Sequence, residues 1–186
     1  MLLLASALSR CGGASSSPTA SPSSGPSSTP GPPTFGPQGT TITQVANEGW
    51  IHVAEGSVVR YTNNPPASGP HYPVWGRFGE FVDVLPRGYW VHNLEHGAIV
   101  FLYRPDAPAA SVSALRDTFR GLPDDPQCGH PRALLTPDPL MPRPVAVVAA
   151  DWFLEGDTLQ TQTVRDFVSQ HRNRAPENIC ADGDRP

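Results

Sequence analysis

Two histidines and a glutamate fall within five residues in Val91-His92-Asn93-Leu94-Glu95-His96-Gly97. Imidazoles and carboxylates are costly to strip of water unless they are paired, hydrogen-bonded or holding a metal. The run that follows, Ala98-Ile99-Val100-Phe101-Leu102-Tyr103, is short, β-branched and aromatic, and is bounded by Gly97 and Arg104-Pro105. It reads as a buried central strand. Polar chemistry therefore stands at the mouth of a core element. In a helical turn His92 and His96 are i and i+4 on one face, with Glu95 beside them. In an extended chain the two histidines share a face and Glu95 points to the other. Either geometry lets the imidazoles converge.

A third imidazole comes from Thr62-Asn63-Asn64-Pro65-Pro66-Ala67-Ser68-Gly69-Pro70-His71-Tyr72-Pro73. Four prolines fix φ there, and Ser68-Gly69 permits a turn. A loop this constrained presents His71 at little entropic cost, as a ligand or hydrogen-bonding group. His71, His92 and His96 together suit zinc, copper or nickel. Met141, in a second proline-rich loop, would add a soft ligand and favour copper. Asn93 and Glu95 would orient a histidine from outside the ligand set. His52, alone in a predicted strand, reads as structural. His92-x-x-Glu95-His96 also fits the H-x-x-E-H pattern of inverted zinc proteases, with Glu177 a conceivable distant acid. That chemistry needs a long helix under both ligands, and Gly97 and the β-branched run cut any helix to about one turn.

The elements that must position these residues follow from periodicity. Thr40 to Val45 reads as an edge strand. Trp50–Ala54 and Ser57–Tyr61 around Glu55-Gly56 read as a β-hairpin. Tyr89-Trp90-Val91 reads as a short strand entering the cluster. Val112, Leu115 and Phe119 have helical spacing within 111–120, with Ser111 as N-cap and Gly121 closing. Ala133–Leu135 and Val145–Ala150 read as strands, and 161–171 as a helix capped by Thr161. The order argues for α+β: an antiparallel or mixed sheet with two helices packed on one face.

Residues 12–40 are almost entirely Ser, Pro, Thr, Gly and Ala, and lack the apolar surface to offset ordering entropy. They read as a linker ahead of a single globular domain at 41–186. Residues 1–11 resemble a bacterial lipoprotein signal, with Cys11 the lipidated residue; Arg10 stands where that pattern has a small residue. The expectation is an exported chain held by a lipid anchor on the extracytoplasmic face of the cell membrane. Cys128 and Cys180 then remain as a pair, which in an exported protein implies a disulfide. The formal net charge is −4 and every basic residue is Arg, with no basic stripe, so nucleic acid is not an expected partner.

Tyr61, Asn64-Pro65-Pro66, Ser68-Gly69-Pro70-His71, Val91 to Gly97, Tyr103-Arg104-Pro105 and Ala175-Pro176-Glu177 together resemble domain of unknown function 3105, over about residues 45 to 180. This is a mostly bacterial family, often exported or membrane-tethered. The resemblance implies that the proline-rich loop and the histidine-rich segment belong to one module. It implies no activity. Three readings of function follow from the residues: a tethered domain with a His-centred site for copper or zinc; a protein- or glycan-binding module displaying Tyr72, Trp75, Tyr89 and Trp90 over a structural His/Glu corner; and an H-x-x-E-H metallohydrolase. No activated Ser, CxxC, phosphate loop or dinucleotide fingerprint points to catalysis.

Overall fold

The apolar run after Gly97 forms β4 (Ile99–Tyr103), and its side chains alternate between two cores. Val100 and Leu102 enter one core; Ile99 and Phe101 enter the other. The β6 strand (Val145–Ala149) does the same, with Ala146 and Val148 on one side and Val145, Val147 and Ala149 on the other. A strand covered on both faces has no polar side, so it is written as an unbroken apolar run. The computed structural model describes residues 34–35 and 39–185. The expected leader at 1–11, Cys11 and most of the 12–40 segment lie outside the described residues.

The other strands are β1 (Thr34–Phe35), β2 (Thr41–Gln44), β3 (Gly79–Glu80), β5 (Ala133–Pro137) and β7 (Trp152–Gly156). They form a mixed sheet in the order β1-β2-β7-β6-β4-β5-β3. The β4–β5 and β3–β5 pairs are parallel, and the remainder antiparallel. Helix α2 (Ala109–Arg120) is the crossover between the parallel strands β4 and β5. It packs with α3 (Thr161–His171) on one face, through Leu115, Val164, Phe167 and Val168. The α+β class and the two helices on one face are as expected from periodicity. A third helix, α1 (Arg87–Glu95), covers the opposite face with Trp90, Val91 and Leu94. Among the described residues no helix is long and apolar enough to cross a membrane.

Several local expectations need correction. The segment read as a strand at Tyr89–Val91 is the middle of α1. Gly88, Trp90, Val91, His92, Asn93, Leu94 and Glu95 are all buried, so α1 has no polar face and no helical periodicity to read. The expected hairpin at 50–61 does not form. Its residues pair instead with the proline-rich loop, through a parallel bridge between His52 and His71. The backbone bonds are His71 N–H to Ile51 O (2.9 Å) and Val53 N–H to His71 O (2.8 Å). Thr41–Gln44 is not the edge, because β1 lies outside it. Helix α2 begins after Pro108 rather than at Ser111, and α3 after Gln160, with no side-chain cap bond at either end. Proline serves at the first of these because its fixed φ is already compatible with a helix start.

Candidate metal centre

Helix α1 supplies His92 at its last turn, Glu95 as its final residue and His96 as its C-cap. Gly97 then ends the helix at φ +83°, a left-handed conformation that lets the chain turn directly into β4. A Cβ at Gly97 would lie 2.7 Å from Asn178 Oδ1 and 3.2 Å from Asn173 Cα, so the glycine also makes room for the C-terminal tail. The tail is tied down beside it. Asn173 N–H donates to Gly97 O (3.1 Å) and Glu177 N–H to Glu95 O (3.1 Å). The proline-rich loop approaches from the other side, bringing His71, which is fully buried.

The side chains converge on the Glu95 carboxylate. Glu95 Oε2 lies 2.9 Å from His71 Nε2, 3.5 Å from His52 Nε2 and 3.9 Å from His92 Nε2. His92 Nε2 is 3.0 Å from His96 Nε2, and His96 Nε2 is 3.4 Å from Glu177 Oε2. The rings of His52 and His92 stack with centroids 4.8 Å apart, and His71 and His92 are separated by the same distance. Trp75 covers His92 and His96 at 5.0 and 4.5 Å. Two sets of donors, His52/His71/His92/Glu95 and Glu95/His96/Glu177, each lie within 4.8 Å of one another and could hold a metal ion. His71, His92, His96 and Glu95 are buried, whereas the side chains of His52 and Glu177 are half exposed.

Backbone carbonyls fix two of the tautomers. His71 Nδ1 lies 2.9 Å from Gly69 O, and His92 Nδ1 lies 2.6 Å from Tyr72 O. A carbonyl can only accept, so each Nδ1 carries the proton and donates. In the neutral rings both Nε2 atoms are therefore bare lone pairs. His71 Nε2 faces a carboxylate oxygen, and His92 Nε2 faces another imidazole. His96 Nδ1 is buried with no hydrogen-bond partner among the described residues. Burial pushes the His92 and His96 imidazoles down to about 4, helped by the neighbouring histidines and, at His96, by the Arg132 guanidinium. Both are neutral at physiological pH, which is the form that ligates metals.

The histidines expected from sequence, His71, His92 and His96, are thus brought together. Glu95, expected only to orient a histidine, lies at the centre of the cluster. His52, expected to be structural, joins the cluster through its bridge to His71, a pairing that strand periodicity does not encode. The Asn93 side-chain hydrogen bonds go to Gly76 and not to a histidine: it accepts from Gly76 N–H (3.0 Å) and donates to Gly76 O (2.8 Å), pinning the loop that carries Trp75. Met141 lies elsewhere, buried in the apolar core. Its N–H meets Asp138 O, and Asp138 N–H meets Tyr103 O, so it sits at the far end of β4 from His96. A five-residue strand spans about 13 Å. Of the four aromatics proposed for display, Trp90 and Tyr72 are buried and Trp75 and Tyr89 are only partly exposed. Cys128 and Cys180 form the expected disulfide, with Cα atoms 5.3 Å apart.

The family described as protein of unknown function (DUF3105) matches residues 52–182. The chain belongs to this family. The match runs from His52 through the proline-rich loop, α1 and Glu177, so every residue of the cluster falls inside the DUF3105 region. Neither curated proteins nor solved structures yielded a match.

Proposed function

We propose that this DUF3105 domain is a metal-binding module that holds a transition-metal ion, zinc or copper, at His52, His71, His92 and Glu95. The observation that carries this reading is the convergence of His52, His71 and His92 on the Glu95 carboxylate, with donor atoms within 4.8 Å of one another. With Nδ1 committed to Gly69 O, a neutral His71 puts a lone pair 2.9 Å from a carboxylate oxygen. Two buried acceptors at that distance need a cation between or beside them. A proton answers for one contact; a metal ion answers for His71, His92, His52 and Glu95 at once. Donors bound at about 2.0–2.1 Å in a tetrahedron lie about 3.4 Å apart. The contacts of 2.9, 3.5 and 3.9 Å around Glu95 Oε2 bracket that spacing. Carbonyl-held Nδ1–H groups are the usual support of a metal-bound imidazole.

The donor set is imidazole and carboxylate. With Met141 at the other end of β4, no thioether among the described residues argues for copper(I), and zinc or copper(II) fits better. Isothermal titration of the chelator-treated protein with zinc tests the reading. Binding is expected in wild type, lost in His71→Ala and His92→Ala and weakened in His52→Ala. A folded wild type that binds neither zinc nor copper(II) would leave only a protonated, structural corner.

The H-x-x-E-H pattern gains one point: α1 runs about one and a half turns ahead of His92, so both histidines do ride on a helix end. A hydrolase would also need Glu95 free to act as base. Here Glu95 is engaged by His71 and His52, and binding is the better reading. The lipid anchor at Cys11 is proposed on sequence alone. It places the domain on the extracytoplasmic side of the membrane, and a Cys11→Ser chain is expected to leave the membrane fraction into which wild type partitions.

A further inference from the structure

The cluster contains more donors than one ion can use. They form a row: Glu177, His96, His92, Glu95, then His52 and His71 side by side. An ion with ligands at about 2.0–2.2 Å cannot hold donors farther apart than about twice that distance. The donors group accordingly into two sets, and Glu95 belongs to both.

Resting on the metal-site reading above, we propose that the domain binds two divalent ions that share the Glu95 carboxylate. The inner ion takes His52, His71, His92 and Glu95. The outer ion takes His96, Glu177 and Glu95. Carboxylate-bridged pairs of this kind stand about 3.5–4 Å apart.

Two observations support the outer site. His96 is almost fully buried, and its Nε2 faces both His92 Nε2 at 3.0 Å and Glu177 Oε2 at 3.4 Å. Binding of His96 Nε2 to an ion makes the ring a ligand on the side where Glu177 already stands, within the donor set Glu95/His96/Glu177. Glu177 is also held in place for no evident packing reason: its side chain is half exposed, but its backbone is bonded to Glu95 O and the next turn of the tail to Arg132. Against it stands Arg132, which donates to His96 O (2.7 Å) and disfavours positive charge there, although Asp125 at 3.2 Å offsets part of that charge.

Native mass spectrometry of the chelator-treated protein with added zinc counts the ions directly. Two per chain are expected in wild type. Glu177→Gln, at a half-exposed position where folding is not at stake, is expected to show one. Its tighter step should change less than twofold, and its weaker step should lose at least tenfold, since even outer-sphere partners are worth about that much. His96→Gln should behave in the same way. With copper(II), wild type should show the dipolar broadening of two close ions in electron paramagnetic resonance, and Glu177→Gln a single isolated signal. Saturation of wild type at one zinc, or a second zinc that survives in both variants, would overturn the shared-carboxylate pair while leaving the inner site standing. No bound zinc at all would remove the inner site as well.

Discussion

Two protons on two δ-nitrogens decide how the cluster behaves. Because Gly69 O and Tyr72 O each take an Nδ1–H, the neutral forms of His71 and His92 turn bare Nε2 lone pairs inward. Such an arrangement resists acid. His92 and His96 titrate at about 4 in the folded domain, against an ordinary value near 6.5, chiefly because burial disfavours their charged forms. An unfolded chain gains protons at these positions once pH drops below about 6.5. The folded one does not until about 4. Stability is therefore full above pH 6.5 and declines between 6.5 and 4, where the unfolded state holds more protons, then levels off. Each unit of difference is worth about 1.4 kcal/mol per group, so the metal-free protein should lose a few kcal/mol across that window. Urea midpoints of the metal-free domain at pH 7, 5.5 and 4 test this, and the double variant His92→Gln/His96→Gln should flatten the slope. His92 and His96 should stay available as ligands below pH 6.5, where unperturbed imidazoles would already be protonated. An unchanged midpoint from pH 7 to 4 in wild type would contradict the buried neutral state.

At the scale of elements, the cluster depends on where α1 stops. Gly97 does two things there: it adopts a left-handed turn, and it leaves room for Asn173 and Asn178. Gly56 has the same φ sign but nothing within 4 Å of its would-be Cβ. The pair separates backbone cost from crowding. Gly56→Ala should lose about 1–2 kcal/mol for the left-handed conformation alone. Gly97→Ala should lose clearly more and should weaken zinc binding, with both read from denaturant midpoints and titration. Equal losses in the two variants would show that the tail's approach to Gly97 carries no weight. The same helix marks the boundary of what the sequence makes legible. Strands β4 and β6 stand out because runs covered on both faces need apolar residues at every position. Helices α2 and α3 stand out because one polar face leaves a 3–4 repeat. Helix α1 is buried all round, and buried histidine, asparagine and glutamate interrupt its apolar residues, so its local pattern is that of neither helix nor strand. The clustering of His92, His96 and His71 is legible because their types are costly to bury without partners. His52 was not, because only a bridge between two irregular segments brings it there. The central place of Glu95 was hidden for a related reason: the geometry of a helix end, rather than residue spacing, aims it at His71. Met141 was misleading, since a methionine in a proline-rich loop looks like a ligand until the loop is seen to close the other end of β4.

Across the whole molecule, the C-terminal tail is a strap over the cluster. From Asn173 to Arg185 it touches Gly97, Glu95, Arg132, Trp75 and Arg77 in turn. It has little regular structure, so it depends on these separate anchors. Two of them are strong. Arg132, buried between Asp125 and the carbonyls of His96 and Ile179, joins the tail to the strand entrance. The Cys128–Cys180 disulfide closes a loop across 52 positions of sequence. On the chain-entropy account a loop of that length stabilises by about 4 kcal/mol. The disulfide lies three residues beyond Glu177, so its removal should act on the site unevenly. In Cys128→Ser/Cys180→Ser, hydrogen exchange should speed up across 173–185 while β4 and β6 stay protected, because the sheet core does not depend on the strap. The denaturant midpoint should fall by the equivalent of up to about 4 kcal/mol. Zinc titration should keep the inner step, whose donors come from α1, the proline-rich loop and His52. It should weaken the outer step, whose Glu177 is no longer held against Glu95 O. Loss of both steps together would mean that the strap supports the entire centre, and unchanged exchange in the tail would mean that Arg132 and the backbone bonds hold it unaided.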